Sequence, residues 1–241
     1  MQTYFLICLI AFFAGFTQGL SGFGSVLLSL PLLAIFLHIK IVIPLAALFG
    51  LSMTVILLIQ LRRNLEWKEV YPLLIGALPG VPFGVLFLKR MDKEIIQLAL
   101  GIILVSYSIY SLVFKLSHRW TKMGWAYLFG FLGGCLGGAL SASGPPVIVY
   151  TSSQSWGKDK TKVILQEVFL FSGIAVVFFQ VISGLTTLRV LHFYGVAHPW
   201  LIFGSYVGSL LYGIMREECY RKVMLILLAS MGGFMIWHAQ I

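Results

Sequence analysis

The division of this chain into long uncharged runs limits its possible folds more than any other feature of its sequence. Uncharged stretches lie between the charged residues at positions 1–39, 41–61, 70–88, 95–114, 123–157, 168–188, 190–215 and 223–241. An α-helix rises about 1.5 Å per residue, so about 20 apolar residues cross the ~30 Å hydrocarbon core of a membrane. Six runs have the length of one crossing, whereas 1–39 and 123–157 are too long for one. The pattern predicts an all-α integral membrane protein.

Composition supports a lipid environment and argues against other partners. Hydrophobic residues make up 59% of the chain and charged residues only 10%, whereas soluble domains carry about 25% charge. The net charge of +9 comes from short basic clusters between apolar runs, not from a basic stripe that could follow nucleic acid. Cys8, Cys135 and Cys219 are too scattered for a disulfide framework or a metal site. We therefore expect a multi-pass protein of the cell (inner or plasma) membrane, surrounded by lipid, with no nucleic-acid partner, metal or cofactor.

Both overlong runs are interrupted by glycine-rich sequence, and the interruptions match. The first break is Gly-Phe-Thr-Gln-Gly-Leu-Ser-Gly-Phe-Gly-Ser at 15–25, and the second extends from Gly133 to Pro146. Aligning Gly15 with Gly134 also aligns Gly19 with Gly138 and Ser25 with Gly144, and further on Gly80-x3-Gly84 matches Gly204-x3-Gly208. The sequence therefore predicts a duplication, with a first repeat at 1–115 and a second at 120–241, which together form one transmembrane domain.

Each overlong run is predicted to be a broken hairpin that enters the membrane and returns. The pieces after the breaks, 24–37 and 144–154, are only about 14 and 11 residues long, too short to cross. Gly144-Pro145-Pro146 favours a new helix, because proline suits the first helical turn. We expect each repeat to hold one re-entrant, broken hairpin and three transmembrane helices, about eight segments in all.

The distribution of lysine and arginine predicts that the second repeat is inverted. Three crossings per repeat place five basic residues on one face, Lys40, Lys89, Arg90, Lys93 and Arg189. The other face then holds twelve: Arg62, Arg63, Lys68, Lys115, Arg119, Lys122, Lys158, Lys160, Lys162, Arg216, Arg221 and Lys222. If each long run crossed once, the split would be ten against seven. Because basic residues are retained in the cytoplasm, the first split is favoured, with both termini outside.

Inverted repeats with broken helices are typical of secondary transporters. Backbone N–H groups at a break, together with the helix dipole, can bind an anion without a full positive charge. The candidate substrate-binding residues lie at or just after the breaks: Gln18, Ser21, Gly22, Gly24, Ser25, Ser141, Ser143, Gly144, Thr151 and Gln154. Glu167 is the candidate for proton coupling, because it is an ionisable residue near the start of an apolar run. The glycines that precede each break are expected to allow close helix packing.

Two rival classes are weighed against a transporter. Facing half-helices could also line an anion channel. An intramembrane enzyme is less well supported, because the sequence has no GxSxG elbow, HExxH or P-loop motif and therefore no candidate catalytic residue. The sequence is compatible with a homodimer.

At the two breaks the chain resembles the TauE/SafE sulfite exporters, also called the TSUP anion permeases. The resemblance rests on Gly-Leu-Ser-Gly-Phe-Gly-Ser at 19–25, Ser-Gly-Pro-Pro-Val-Ile-Val-Tyr at 143–150 and Gly-Ala-Leu-Pro-Gly at 76–80. Consecutive glycines are commonest in this family, whereas Phe23 and Ser25 interrupt the first break here and Ser-x-Ser-Gly-Pro-Pro forms the second, which looks like a branch of the family. The resemblance implies about eight transmembrane segments and transport of a small anion, such as sulfite, a sulfonate or another small organic acid.

Overall fold

The structure is a computed structural model, and it describes residues 2–61, 66–113, 123–154, 156, 158–211 and 217–238. These residues form ten α-helices and no strand. In chain order the helices are α1 (Gln2–Ser21), α2 (Ser25–Ala34), α3 (Ile39–Leu61), α4 (Trp67–Arg90), α5 (Lys93–Val113), α6 (Met123–Leu140), α7 (Gly144–Ser152), α8 (Lys158–Ile182), α9 (Leu188–Leu211) and α10 (Glu217–His238). Each of the six single-crossing runs holds one long helix, and each overlong run holds a helix followed by a short one.

Both predicted breaks agree with the helix boundaries. Helix α1 ends at Ser21 and α2 begins at Ser25, while α6 ends at Leu140 and α7 begins at Gly144. Prolines occupy the first turn of α7, as expected from the sequence. The short helices have 10 and 9 residues, fewer than the predicted 14 and 11, because the chain turns away before each apolar run ends.

The helices define a multi-pass membrane protein. Among the described residues, α1, α3, α4, α5 and α8 are long and apolar enough to cross a membrane. Helix α1 belongs to this set although its run was predicted to form a broken hairpin. Large apolar side chains also lie exposed along α9, such as Trp200, Phe203 and Tyr206. Exposed apolar faces of this kind suit contact with lipid.

Glycine faces bring two helix pairs into close contact, α1 with α9 and α4 with α6. A Cβ added to Gly15 would lie 2.0 Å from the Leu201 carbonyl oxygen, and one added to Gly204 would lie 2.0 Å from the Phe12 carbonyl oxygen. In the other pair, a Cβ on Gly80 would lie 2.4 Å from the Phe131 carbonyl oxygen. Only glycine allows backbones to approach so closely, so Gly15 has the packing role that the sequence indicated, and Gly80 and Gly204 share it.

The contacts also define helix directions. Gly204 lies against Phe12 and Gly208 against Phe16, so α1 and α9 run parallel, and the same register makes α4 and α6 parallel. Helices α5 and α10 instead run antiparallel, because Gly101 lies against Ile236 and the later Val105 lies against the earlier Gly232.

Helices α3 and α8 pack against the short helices that follow the two breaks. They contact each other, and Leu51 of α3 lies 3.5 Å from where a Cβ on Gly173 of α8 would be. Helix α3 also packs against α2 and α9, whereas α8 packs against α7 and α4. Each short helix is therefore supported by the long helix that follows it.

Candidate functional site

The first break turns at Gly22 and Gly24. Their φ angles of 82° and 107° lie in the left-handed region, which residues with a side chain rarely adopt, so glycine allows the turn. The Gly22 N–H donates to the Gln18 carbonyl and closes the last turn of α1. The Ser25 hydroxyl donates to Oε1 of Gln18, and both side chains are buried. Two polar side chains are thus joined across the break.

The second break turns at Ser141. Its φ of 56° is the only positive φ of a non-glycine residue in the described part of the chain. The Ser141 hydroxyl donates to the Ile43 carbonyl of α3 at 2.9 Å, and Nε2 of Gln180 in α8 donates to Ser141 Oγ at 3.2 Å. Hydrogen bonds from two helices therefore hold a backbone conformation that is unfavourable for serine.

Both breaks open on one cavity of about 70 Å³, which has room for a few water molecules or a small anion. Its polar residues come from the breaks and from α3, and its apolar walls come from α2, α3, α7 and α8. The lining residues are Gln18, Phe23, Gly24, Ser25, Val26, Leu27, Ala47, Gly50, Leu51, Thr54, Gly137, Ser141, Ala142, Ser143, Gly144, Ile148, Phe169, Gly173 and Val176. A mainly apolar pocket with a few convergent polar groups is typical of small-molecule sites.

The two short helices begin at this cavity without side-chain caps. Neither Gly24 before α2 nor Ser143 before α7 caps its helix with a side chain. The first N–H groups of a helix lack partners within the helix, and each N-terminus carries a partial charge of about +0.5. None of the described residues that line the cavity is charged. The arrangement can therefore hold a small anion through N–H groups and helix dipoles instead of an ion pair.

The structure brings six of the ten predicted binding residues into the cavity lining: Gln18, Gly24, Ser25, Ser141, Ser143 and Gly144. Gly22 shapes the first break but does not line the cavity. Thr151 bonds the carbonyls of its own helix, and Gln154 lies beyond the end of that helix. Ser21 ends α1, and its side chain lies outside the described part of the structure.

Several residues near the cavity were not predicted from the sequence. Thr54 and Phe169 line it, and Gln180 supports Ser141. The stem of Lys162 packs against Gly22, since a Cβ added there would lie 2.8 Å from Lys162 Cε. These residues belong to α3 and α8 and are distant from the breaks along the chain. The sequence around them therefore does not indicate that they lie beside a break. The one available signal is an amide within an apolar run, which marks Gln180.

Glu167 belongs to α8 and lies away from the cavity, next to the N-terminus of α4. Its side chain is 1% exposed, and both carboxylate oxygens accept from the Glu66 backbone N–H at 3.1 Å. Nearby, Lys160 Nζ bridges Glu69 at 2.6 Å and Glu66 at 3.2 Å. A carboxylate beside a helix N-terminus stabilises that helix. The contacts favour a role in holding α4 against α8.

We expect Glu167→Gln to keep transport within about threefold of wild type, because the amide oxygen still accepts from Glu66. Glu167→Leu removes the acceptor, and loss of a helix-terminal hydrogen bond costs about 0.5–2 kcal/mol. The midpoint of thermal unfolding should then fall by a few degrees, roughly 2–4 °C per kcal/mol for a chain of this size. Both variants are compared by transport and by thermal unfolding in detergent. Abolished transport in Glu167→Gln at an unchanged midpoint would contradict the capping role and favour proton coupling.

These features define a multi-pass membrane protein with an internal cavity between two helix breaks. The chain belongs to the TauE/SafE sulfite exporter family, whose model matches residues 7–235. A relative from Cupriavidus necator, described as a probable sulfite/organosulfonate exporter TauE, is 27% identical over 152 residues. That match covers 61% of this chain and 59% of the relative. No solved structure matches the chain. The family is one of exporters and the relative is described as a probable exporter, which argues against the enzyme alternative.

Proposed function

We propose that the chain is a secondary transporter that moves a small anion, sulfite or an organosulfonate, by alternating access. The observation that carries the proposal is that both short helices begin, without side-chain caps, at one cavity. The printed description of the Cupriavidus relative makes sulfite and organosulfonates the first substrates to consider. Broken helices around a central site are the recurrent design of such transporters.

The two helix starts contribute unequally to the proposed anion site. In α2, Ser25, Val26 and Leu27 all line the cavity and carry the N–H groups of the first turn. In α7, Pro145 and Pro146 follow Gly144 and have no N–H to donate. Helix α2 would therefore supply most of the hydrogen bonds, and α7 mainly its dipole. Two partial charges of about +0.5 together balance a monoanion, and the absence of an ion pair would make release easy.

We further propose that residues 1–115 and 120–241 are inverted repeats, each with a re-entrant hairpin. Helices 1–5 correspond in order to helices 6–10, so the α1–α9 contact corresponds to the α6–α4 contact. The antiparallel pairing of α5 with α10 supports inversion, because these helices occupy the same place in the two repeats. The positive φ angles of Gly22 and Ser141, which are equivalent in the alignment, also support the duplication.

Both termini are expected to face the outside, because three crossings per repeat then leave twelve of the seventeen basic residues in the cytoplasm. The measurement is cysteine labelling of intact cells in a background without Cys8, Cys135 and Cys219. Ile241→Cys should react with a membrane-impermeant maleimide, whereas His118→Cys should react only after the cells are opened. Labelling of His118→Cys in intact cells would contradict the inverted topology.

Reconstitution into proteoliposomes tests the function. Purified protein should give sulfite or organosulfonate flux that saturates with concentration and depends on an imposed gradient, while protein-free liposomes should not. Small carboxylates serve as competitors that rank the substrate class. Flux that rises linearly with concentration and follows the membrane potential alone would favour the channel alternative. Absence of flux for every sulfite and sulfonate tested would overturn the proposal.

A further inference from the structure

One face of α8 extends along the cavity from one break to the other. Phe169, Gly173 and Val176 line the cavity, and their spacing places them on one helix face. Gln166 lies three residues before Phe169, and Gln180 lies four residues after Val176, so both continue the same face. The two glutamines are 14 residues apart, about 21 Å along the helix.

Each glutamine donates a hydrogen bond to the turn of one break. Nε2 of Gln166 donates to the Gly22 carbonyl, and Nε2 of Gln180 donates to Ser141 Oγ. The two acceptors occupy equivalent places, since each lies two residues before the N-cap of a short helix. Both also have positive φ angles. Helix α8 thus donates one hydrogen bond to each break, at a residue with a positive φ angle.

In each of these glutamines the amide nitrogen forms a hydrogen bond within the described part of the chain and the amide oxygen does not. Both side chains are 0% exposed, yet neither Oε1 has a hydrogen-bond partner among the described residues. Buried polar atoms are nearly always paired, so an amide with an unpaired oxygen is a poor choice for packing alone. The hydrogen bond from the amide nitrogen to the break therefore explains a glutamine at each position better than packing does.

We propose that Gln166 and Gln180 are positioning residues that set the placement of the two helix starts and thereby the affinity for the anion. The inference rests on the proposed function, because it assigns the support of the same anion site. Helix α3 has no equivalent pair: its cavity-lining positions Ala47, Gly50, Leu51 and Thr54 include no amide. Helix α3 contacts the second break through the Ile43 carbonyl, whereas α8 donates a side-chain hydrogen bond to each break.

The test measures sulfite flux in proteoliposomes for Gln166→Met and Gln180→Met, which keep side-chain length and remove the donor. Loss of one neutral hydrogen bond predicts a rise in the half-saturating sulfite concentration of about fivefold, with the maximal rate within about twofold of wild type. Gln97→Met is the matched control, because Gln97 is a buried glutamine of α5 that does not line the cavity. It should keep the wild-type half-saturating concentration.

A double-mutant cycle separates positioning from a general structural effect. Because Gln180 acts through Ser141, Gln180→Met should add little to the half-saturating concentration of Ser141→Ala. Additive effects, or affinities that are unchanged while thermal stability falls, would overturn the positioning role. If wild-type protein transports sulfite and both methionine variants match it in affinity, only this inference fails. If wild-type protein transports no sulfite or sulfonate, the proposed function fails, and this inference fails with it.

Discussion

Gly144→Val should abolish anion transport while leaving the folded protein in the membrane. A Cβ at this position would lie 3.6 Å from Ile148 and 3.8 Å from Phe169, which are ordinary contacts, and the backbone there is not left-handed. The two further methyl groups of valine would enter the space between the helix starts. Because the cavity is only about 70 Å³, these methyl groups would take the space that a bound anion needs, and we expect no flux above that of protein-free liposomes.

Alanine and valine at position 144 form a size series that tests this explanation. Gly144→Ala adds only the tolerated Cβ and should lose less activity than Gly144→Val. Gly195→Val is the matched control, because Gly195 is exposed and no atom lies within 4 Å of an added Cβ. The measurements are proteoliposome flux and thermal unfolding in detergent. Wild-type flux in Gly144→Val would mean that the anion does not pass between the two helix starts.

Gly204→Val should strongly lower the stability of the protein. The added Cβ would lie 2.0 Å from the Phe12 carbonyl oxygen, and backbone atoms cannot rotate away as a side chain can. Overpacking costs about 1–3 kcal/mol, occasionally more, and a backbone clash belongs at the upper end. We expect little monodisperse protein in detergent, measured by size-exclusion chromatography, and a lower unfolding midpoint for the remainder.

Gly80→Val should have the same effect, because Gly80 occupies the equivalent position in the α4–α6 pair and meets the Phe131 carbonyl oxygen. Gly195→Val, the same change on the helix that carries Gly204, should behave as wild type. Normal yield and midpoint in Gly204→Val would refute close α1–α9 packing. Normal behaviour in Gly80→Val alone would show that the two helix pairs are not equivalent.

The helix breaks could be predicted because glycine and proline act on the backbone within a residue or two of their own position. Gly22 and Gly24 permit left-handed turns, and Pro145 favours a helix start. These effects need no knowledge of the rest of the fold. The ends of the short helices were less predictable, since the apolar character of each run continues after its helix has ended.

The surroundings of the cavity could not be predicted in the same way. Gln166 bonds Gly22 from 144 positions away, and Gln180 bonds Ser141 from 39 positions away. The sequence shows that the glutamines are present, but it does not show which helix faces pack together and so place the glutamines beside the breaks. Thr151 was included because it follows a break closely, yet its hydroxyl turns back to the Val147 carbonyl. Proximity along the chain was a poor guide to side-chain direction.

The pairing of α1 with α9 has a consequence for biosynthesis. Phe12 and Gly204 touch, although 192 positions separate them. At about 5–20 residues per second, the ribosome needs roughly 10–40 s to make the partner of the first helix. During that interval the glycine face of α1 is in the bilayer without its partner. Because a helix pairs its own backbone groups, α1 can remain in the lipid until α9 has been made, so assembly of this helix pair is a late step.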